Sequence, residues 1–277
     1  MGLARDAACM MEASFKARVV ENFSRSASTY DCHAEEQRAG AATLAKCAAE
    51  CAEDLVEGPV LEIGCGTGFL SASLAALFPE RRLELTDLAP AMVAHCRQKM
   101  AAETTHPDLC YRVLDGEQLA SEERYALICA SFVVHWFADL RAGLQQLLAA
   151  LKPGGRLLCS YPGVGSYAEW HRQCARQGVP CSANALPDLA SVARVFANEP
   201  VAVRQWEQVI ALRFPTACAF LRHFKGTGAH TSARLSTLGP AQLRQLLRGW
   251  DRDCPNGVEI TCAVHYLAVE KAWGCGG

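Results

Sequence analysis

The stretch Val60-Leu61-Glu62-Ile63-Gly64-Cys65-Gly66-Thr67-Gly68-Phe69 decides the fold of this 277-residue chain. Val60, Leu61 and Ile63 make a short apolar run that reads as a buried strand. Gly64, Gly66 and Gly68 then allow positive φ and let the backbone approach a ligand closely. The helix predicted from Phe69 to Phe78 turns its first N–H groups toward that ligand. The spacing is G-x-G-x-G, whereas the dinucleotide fingerprint is G-x-G-x-x-G. Glu62, two residues ahead of Gly64, would repel a pyrophosphate but suits a cationic ligand. Cys65 reads as a small packing residue beside the ligand, with a nucleophilic role as the alternative.

The next predicted strand, 82–86, ends at Asp87, a carboxylate placed to accept hydrogen bonds from two ribose hydroxyls. Glycine turn and acid together closely resemble the nucleoside-binding half of class I S-adenosylmethionine (SAM)-dependent methyltransferases. The resemblance places Leu88 and Met92 with Asp87 on the cofactor. After the third strand, Asp115-Gly116-Glu117 stands at the carboxyl ends of the strands, where ligands sit in such folds. Asp115 can accept from the adenine amino group, Gly116 keeps the rim open, and Glu117 belongs to the same rim. In isolation, Asp-Gly also reads as an ordinary turn. The fourth strand runs into Ser131-Phe132-Val133-Val134-His135-Trp136-Phe137, an aromatic wall suited to a sulfonium, with Ser131 and Trp136 assigned to the cofactor. His135 reads either as a packing residue or as a general base.

Strands are expected at 59–63, 82–86, 109–113, 125–130 and 155–160, with helices at 69–78, 90–103 and 140–150 between them. This alternation implies a parallel sheet with helices on both faces. Lys152-Pro153-Gly154-Gly155 reads as a stop and turn before the fifth strand. Residues 201–214 and 257–270 alternate as a closing antiparallel pair, with helices near 217–224 and 240–249. The fold class is therefore α/β and Rossmann-like, a seven-stranded, mostly parallel sheet with a helical cap. Four regions are expected: N-terminal helices closing over the site (1–57), the SAM-binding core (58–162), a helical cap insertion (163–200), and C-terminal helices with the antiparallel strands (201–277).

The flanks narrow the resemblance. Residues 23–34, Phe-Ser-Arg-Ser-Ala-Ser-Thr-Tyr-Asp-Cys-His-Ala, are similar to the N-terminus of malonyl-acyl-carrier-protein O-methyltransferases of biotin synthesis. So are Ser166-Tyr167-Ala168-Glu169-Trp170, residues 220–229 and the late strand 260–270. Where that family often carries Arg-Phe, this chain has Ala185-Leu186. The resemblance implies methyl transfer from SAM to the free carboxylate of a malonyl thioester on acyl carrier protein, with S-adenosylhomocysteine as product. It implies a closing role for Tyr30, and Tyr161, Tyr167 and Trp136 as acceptor lining. Arg172 is the candidate cation for the acceptor carboxylate, against the plain reading of an exposed helix charge. Tyr30, His135 and Arg172 thus stand as the catalytic candidates.

Composition sets the limits. The net charge is −2 and the chain is 51% hydrophobic, which gives no extended basic stripe for nucleic acid. No apolar run is long enough to span a membrane, and Arg5, Asp6 and Glu12 interrupt any signal-peptide core. Fifteen cysteines without a C-x-x-C pair read as reduced, mostly buried thiols in a cytoplasmic protein, with no metal expected. A monomer is expected. Between Gln208 and Trp250 there is no Asp or Glu. Arg213, Arg222, Lys225, Arg234, Arg244 and Arg248 there read either as a solvated face or as a surface for an acidic carrier protein. Rival readings are a SAM methyltransferase of a small molecule such as a quinone precursor, and a non-catalytic SAM-binding protein.

Overall fold

The computed structural model describes residues 2–120, 122–232 and 238–273, with side chains from residue 13 onward. Its sheet has seven strands: β1 (Val60–Ile63), β2 (Leu83–Asp87), β3 (Leu109–Val113), β4 (Tyr125–Ser131), β5 (Leu151–Pro162), β6 (Val201–Phe214) and β7 (Val258–Lys271). Their order is β3-β2-β1-β4-β5-β7-β6. β1 to β5 pair in parallel, and β7 runs antiparallel between β5 and β6. The central strands are covered on both faces, so β1 is buried along its whole length and β4 along all but its last residue, as buried parallel strands require. The strand order reverses between β1 and β4, which opens a crevice at their carboxyl ends.

The N-terminal helix α1 spans Gly2–Ser26. Residues 2–13 are rich in Ala, Leu, Met and Glu, good helix formers. A single 3-10 turn, Tyr30–Cys32, leads to α2 (Glu35–Cys51). Helices α3 (Phe69–Leu77), α4 (Pro90–Glu103) and α5 (Leu140–Ala150) cover the sheet. Asp139 caps α5 by accepting the Ala142 N–H at 2.9 Å, an N-cap bond worth about 1 kcal/mol.

One turn expectation is corrected. Lys152-Pro153-Gly154-Gly155 lies inside β5, where Leu151 pairs with Tyr125 and the register shifts before Arg156 meets Leu127. A bulge absorbs the glycines: Gly154 has φ +75°, and a Cβ on Gly155 would lie 2.8 Å from the Lys152 carbonyl.

Beyond β5 come α6 (Ala168–Arg176) and the short α7 (Leu189–Ala193), then α8 (Ala217–Thr227) and α9 (Pro240–Asp253) between β6 and β7. Trp170, Phe220, Trp250, Leu212 and Ile260 form a separate apolar cluster that seats α6, α8 and α9 on β6 and β7. No disulfide forms among the described residues, and eight of the thirteen cysteines whose side chains are described are buried, so these thiols serve mainly as small apolar packing. Among the described residues no helix is long and apolar enough to cross a membrane.

Candidate active site

The crevice holds a cleft of about 730 Å³. Its base is the glycine turn. Gly64 has φ +69°, and a Cβ there would fall 2.1 Å from Val133 Cγ2, so this glycine is demanded by packing as well as by conformation. Gly66 has φ +51°, and a Cβ there would meet nothing within 4 Å. That side of Gly66 opens into the cleft, a cradle shaped for close approach of a ligand. Gly68, by contrast, caps α3 and packs toward Cys96 on α4 rather than lining the cleft.

Asp87 ends β2 at the cleft wall, beside Leu88 and Met92. Its Oδ2 accepts the Gly66 N–H at 3.0 Å and its Oδ1 the Ala89 N–H at 2.8 Å. Each oxygen keeps a second lone pair for a hydroxyl. Burial pushes the Asp87 carboxyl up to about 6, against these bonds.

Asp115, Gly116 and Glu117 form the opposite rim. Gly116 is buried under Ile63 and Phe137, and a Cβ would lie 2.6 Å from Ile63 Cγ2; packing, not an open rim, requires glycine. Glu117 takes the N–H groups of Ala138 and Asp139 at 3.0 and 2.9 Å, so it fixes the start of α5 as well as bordering the cleft. Sequence reasoning missed Lys16, whose Nζ lies 2.6 Å from both Asp115 Oδ2 and Glu117 Oε2. The signal was present: Lys16 stands three and seven residues before Val19 and Phe23, on the apolar face of α1.

Glu62 and Cys65 border a smaller adjoining cavity of about 290 Å³, together with Tyr30, Gly64, Gly66 and Ser131. Glu62 is 1% exposed. Its Oε2 accepts the Ser71 hydroxyl at 2.5 Å, and burial drives its carboxyl well above the usual range. Cys65 is buried and its thiol pushed well up, through its hydrogen bond with Cys96 and its burial. A thiol so held is a poor nucleophile, so the packing reading stands. Ser131 pairs its hydroxyl with Ser160 at 3.1 Å.

Tyr30 is planted over the cleft by its neighbour Asp31, which accepts from Thr67 Oγ1 at 2.5 Å and Lys99 Nζ at 3.1 Å. Among the described residues its hydroxyl has no protein partner. Burial and the charges of Glu36, Asp87 and Asp31 raise its pKa, so it stays a neutral donor.

A second cavity of about 920 Å³ lies beyond the 3-10 turn Val134–Trp136. Trp136 borders both cavities, with Phe23 edge-on to its ring at 5.6 Å. Tyr167, Trp170, Phe220 and Phe224 supply aromatic walls, and Asn184, His171, His230 and Thr231 polar points. Of these only Tyr167 was assigned to the site from the sequence; Trp170, Phe220 and Phe224 entered only as parts of the family-like stretches, and Asn184, His230 and Thr231 lie in loops after α6 and α8 that show no periodicity. His135 borders this cavity, and burial pushes its imidazole down to about 3. It is neutral at ordinary pH and a weak base, which favours the packing role.

Two assignments fall elsewhere. Tyr161 is fully buried in β5 against His265 and borders neither cavity, because its strand position points it into the core. Arg172 faces solvent, with its side chain 68% exposed and paired to Glu169 at 3.0 Å. Glu169 is itself anchored on Thr261, so the arginine is held on the outer face of α6. Among the described residues no Lys or Arg borders the second cavity.

Comparison with known proteins agrees with this fold. Residues 61–157 match a family model described as a methyltransferase domain. The chain is 35% identical to the biotin biosynthesis bifunctional protein BioCD of Bordetella avium over 92% of its own length, and it spans 53% of that longer protein. It is 31% identical to a malonyl-[acyl-carrier protein] O-methyltransferase of Magnetococcus marinus, over 78% of this chain and 82% of that one. An Alcanivorax borkumensis protein of the same name is 29% identical over 95% and 89%. Among solved structures, the YcgJ protein of Bacillus subtilis superposes with TM-score 0.60 at 15% identity, over 84% of this chain and 99% of that one, which supports the fold.

Proposed function

Because the chain belongs to the family of malonyl-[acyl-carrier protein] O-methyltransferases, we propose that it methylates the free carboxylate of a malonyl thioester borne by acyl carrier protein. The methyl ester would mask the charge, so that fatty-acid enzymes could extend the chain toward a biotin precursor. The observation that carries this reading is the pair of cavities meeting at Trp136. One has a glycine cradle and an acid at a strand end; the other is large, mostly aromatic and fitted for an acyl chain.

Bound SAM would supply a methyl carbon activated by its sulfonium, on which a carboxylate oxygen would form the O–CH3 bond as the C–S bond breaks, the electron pair leaving with sulfur and no proton moving. Asp87 and the Gly66 backbone would hold the nucleoside, and the open face of Gly66 fits that role. Trp136 presents an aromatic ring where the two cavities meet, favourable to a cation. Tyr30 offers a neutral O–H to orient the acceptor oxygen without quenching it as a full cation would. A malonyl carboxylate is already ionised at neutral pH, so the weak basicity of His135 costs nothing. What the residues contribute is alignment in a dry site, an effect worth up to about 7–11 kcal/mol in well-oriented systems.

A second reading has one observation in its favour: the aromatic walls and missing Lys or Arg of the second cavity would also take an apolar small molecule such as a quinone precursor. Intact-protein mass spectrometry of malonyl-carrier protein after incubation with SAM separates the two. The proposal requires a mass gain of one methyl ester that alkali reverses. An unchanged carrier, with methylation of a quinone precursor, would replace it.

A further inference from the structure

Helices α6 and α9 lie against each other along a groove at the far end of the cap. Gln177, just past α6, donates from Nε2 to the Leu246 carbonyl at 3.0 Å. A Cβ on Gly249 would fall 2.5 Å from that amide, so glycine lets the helices close. Arg176, Arg244, Arg248 and Arg252 border the groove. The last three recur every four residues, which places them on one stripe of α9, and all three are exposed. Arg176 pairs with Asp253 at 3.5 Å. Arg244, Arg248 and Arg252 have no ion-pair partner among the described residues. The other acid of α9, Asp251, is spent elsewhere: its Oδ1 takes the Ala217 N–H at 2.7 Å and caps α8.

We propose that this arginine groove is the principal docking surface for the acidic carrier protein, a proposal that rests on the function argued above. Guanidinium groups bind carboxylates in bidentate fashion, and three unneutralised ones in register suit an acidic helix laid along α9. The position fits the task. Trp170 and His171, early in α6, border the second cavity, and Arg176 follows His171 by five residues, about 8 Å along the helix axis at 1.5 Å per residue. A carrier seated on the groove therefore holds its thioester arm beside the cavity. Of the basic residues expected from the sequence to do this, Arg244 and Arg248 lie in the groove, and the others are placed differently, Arg213 being paired with Glu259 at 2.8 Å. Arg222 donates within its own helix to Cys218 Sγ at 3.4 Å, Lys225 stands in the last turn of α8, and Arg234 lies outside the described residues. The groove is a denser cluster than Arg222 and Lys225 provide.

The test is the triple variant Arg244→Glu, Arg248→Glu, Arg252→Glu beside the milder triple change to Gln. Binding of apo carrier protein, which lacks the arm, is followed by titration at low and high salt. Steady-state methylation is measured with malonyl-carrier protein and malonyl-CoA. The Glu triple should weaken apo-carrier binding and raise the malonyl-carrier KM by about tenfold or more at low salt, with a smaller salt response than wild type. The Gln triple should fall between. Malonyl-CoA kinetics and the thermal midpoint should stay as in wild type. Unchanged carrier binding in the Glu triple overturns the proposal. So do equal losses on malonyl-CoA, and so does a groove that binds duplex DNA but not carrier. A wild-type protein that binds apo carrier through these arginines, yet methylates neither malonyl thioester, would refute the proposed function and leave the surface standing.

Discussion

Lys16 Nζ lies 2.6 Å from Asp115 Oδ2, an ion pair that bolts α1 across one rim of the cofactor cleft. Glu117 Oε2 shares the same ammonium at 2.6 Å. Burial alone would lower the Lys16 pKa, but the hydrogen bonds and charges of Asp115 and Glu117 outweigh it and raise the group. The latch thus stays charged across the ordinary pH range. If Asp115 is to accept from an adenine amino group, Lys16 has to yield or share it.

Lys16→Met should therefore loosen α1 and speed both entry and exit of SAM by several-fold, since lid motion of this kind gates ligand exchange. The dissociation constant should move less than either rate. Stopped-flow binding checks this, and rates equal to wild type would mean that α1 does not gate the cleft.

Asp87→Ala should remove two charge-assisted hydrogen bonds to ribose, each worth roughly 1.5–3 kcal/mol, and lower SAM affinity at least tenfold with the fold intact. The pH dependence has a fixed sign. Burial raises Asp87 from 3.8 to about 6, so the folded protein holds this proton more tightly than the unfolded chain. The group's contribution to stability is complete below about 3.8 and is lost as pH rises through about 6. Acidification through about 6 should weaken SAM binding while Asp87 itself adds to stability. Calorimetry in that window would show affinity falling in wild type but flat in Asp87→Asn.

The two glycines separate fold from ligand. Gly64→Ala drives a methyl into Val133 at 2.1 Å and should destabilise the protein by about 1–3 kcal/mol. Gly66→Val meets open space in the free protein, apart from the strain of its positive φ, which costs about 1–3 kcal/mol. Its side chain should occupy the ligand's place and abolish measurable SAM binding. A normally active Gly66→Val protein would refute the glycine-cradle account.

Tyr30→Phe should lower kcat/KM for the acceptor by about tenfold with SAM affinity nearly unchanged, as expected for loss of one orienting hydrogen bond. His135→Phe should leave the shape of the pH–rate profile untouched, because an imidazole held down to about 3 does not titrate near neutrality. Disappearance of a limb near the ordinary histidine pKa would make His135 a base after all. Arg172→Ala should behave within about twofold of wild type, as exposed ion pairs usually do.

The sheet was legible because buried parallel strands must be largely apolar and must be separated by helices; Tyr125–Ser131 obeys that rule, and Val60–Ile63 and Leu83–Asp87 follow it with one buried glutamate each, Glu62 and Glu84. Asp87 and Gly66 were legible because their local geometry is dictated within a few residues. The acceptor side was not. Arg172 carries the right charge, but helix phase turns it outward onto Glu169. Tyr161 has a useful hydroxyl, but alternation in β5 turns it inward. On the cofactor side, the apolar face of α1 marked Lys16, but its bridge to Asp115, 99 positions away, is a pairing that no local pattern encodes.

The most direct test of the account measures kcat/KM with labelled SAM for malonyl-carrier protein, malonyl-CoA and free malonate side by side. It predicts that malonyl-carrier protein is preferred over malonyl-CoA by about tenfold or more, through docking, and that free malonate is methylated least. Equal rates on all three acceptors, or methyl transfer to none of them, would contradict it.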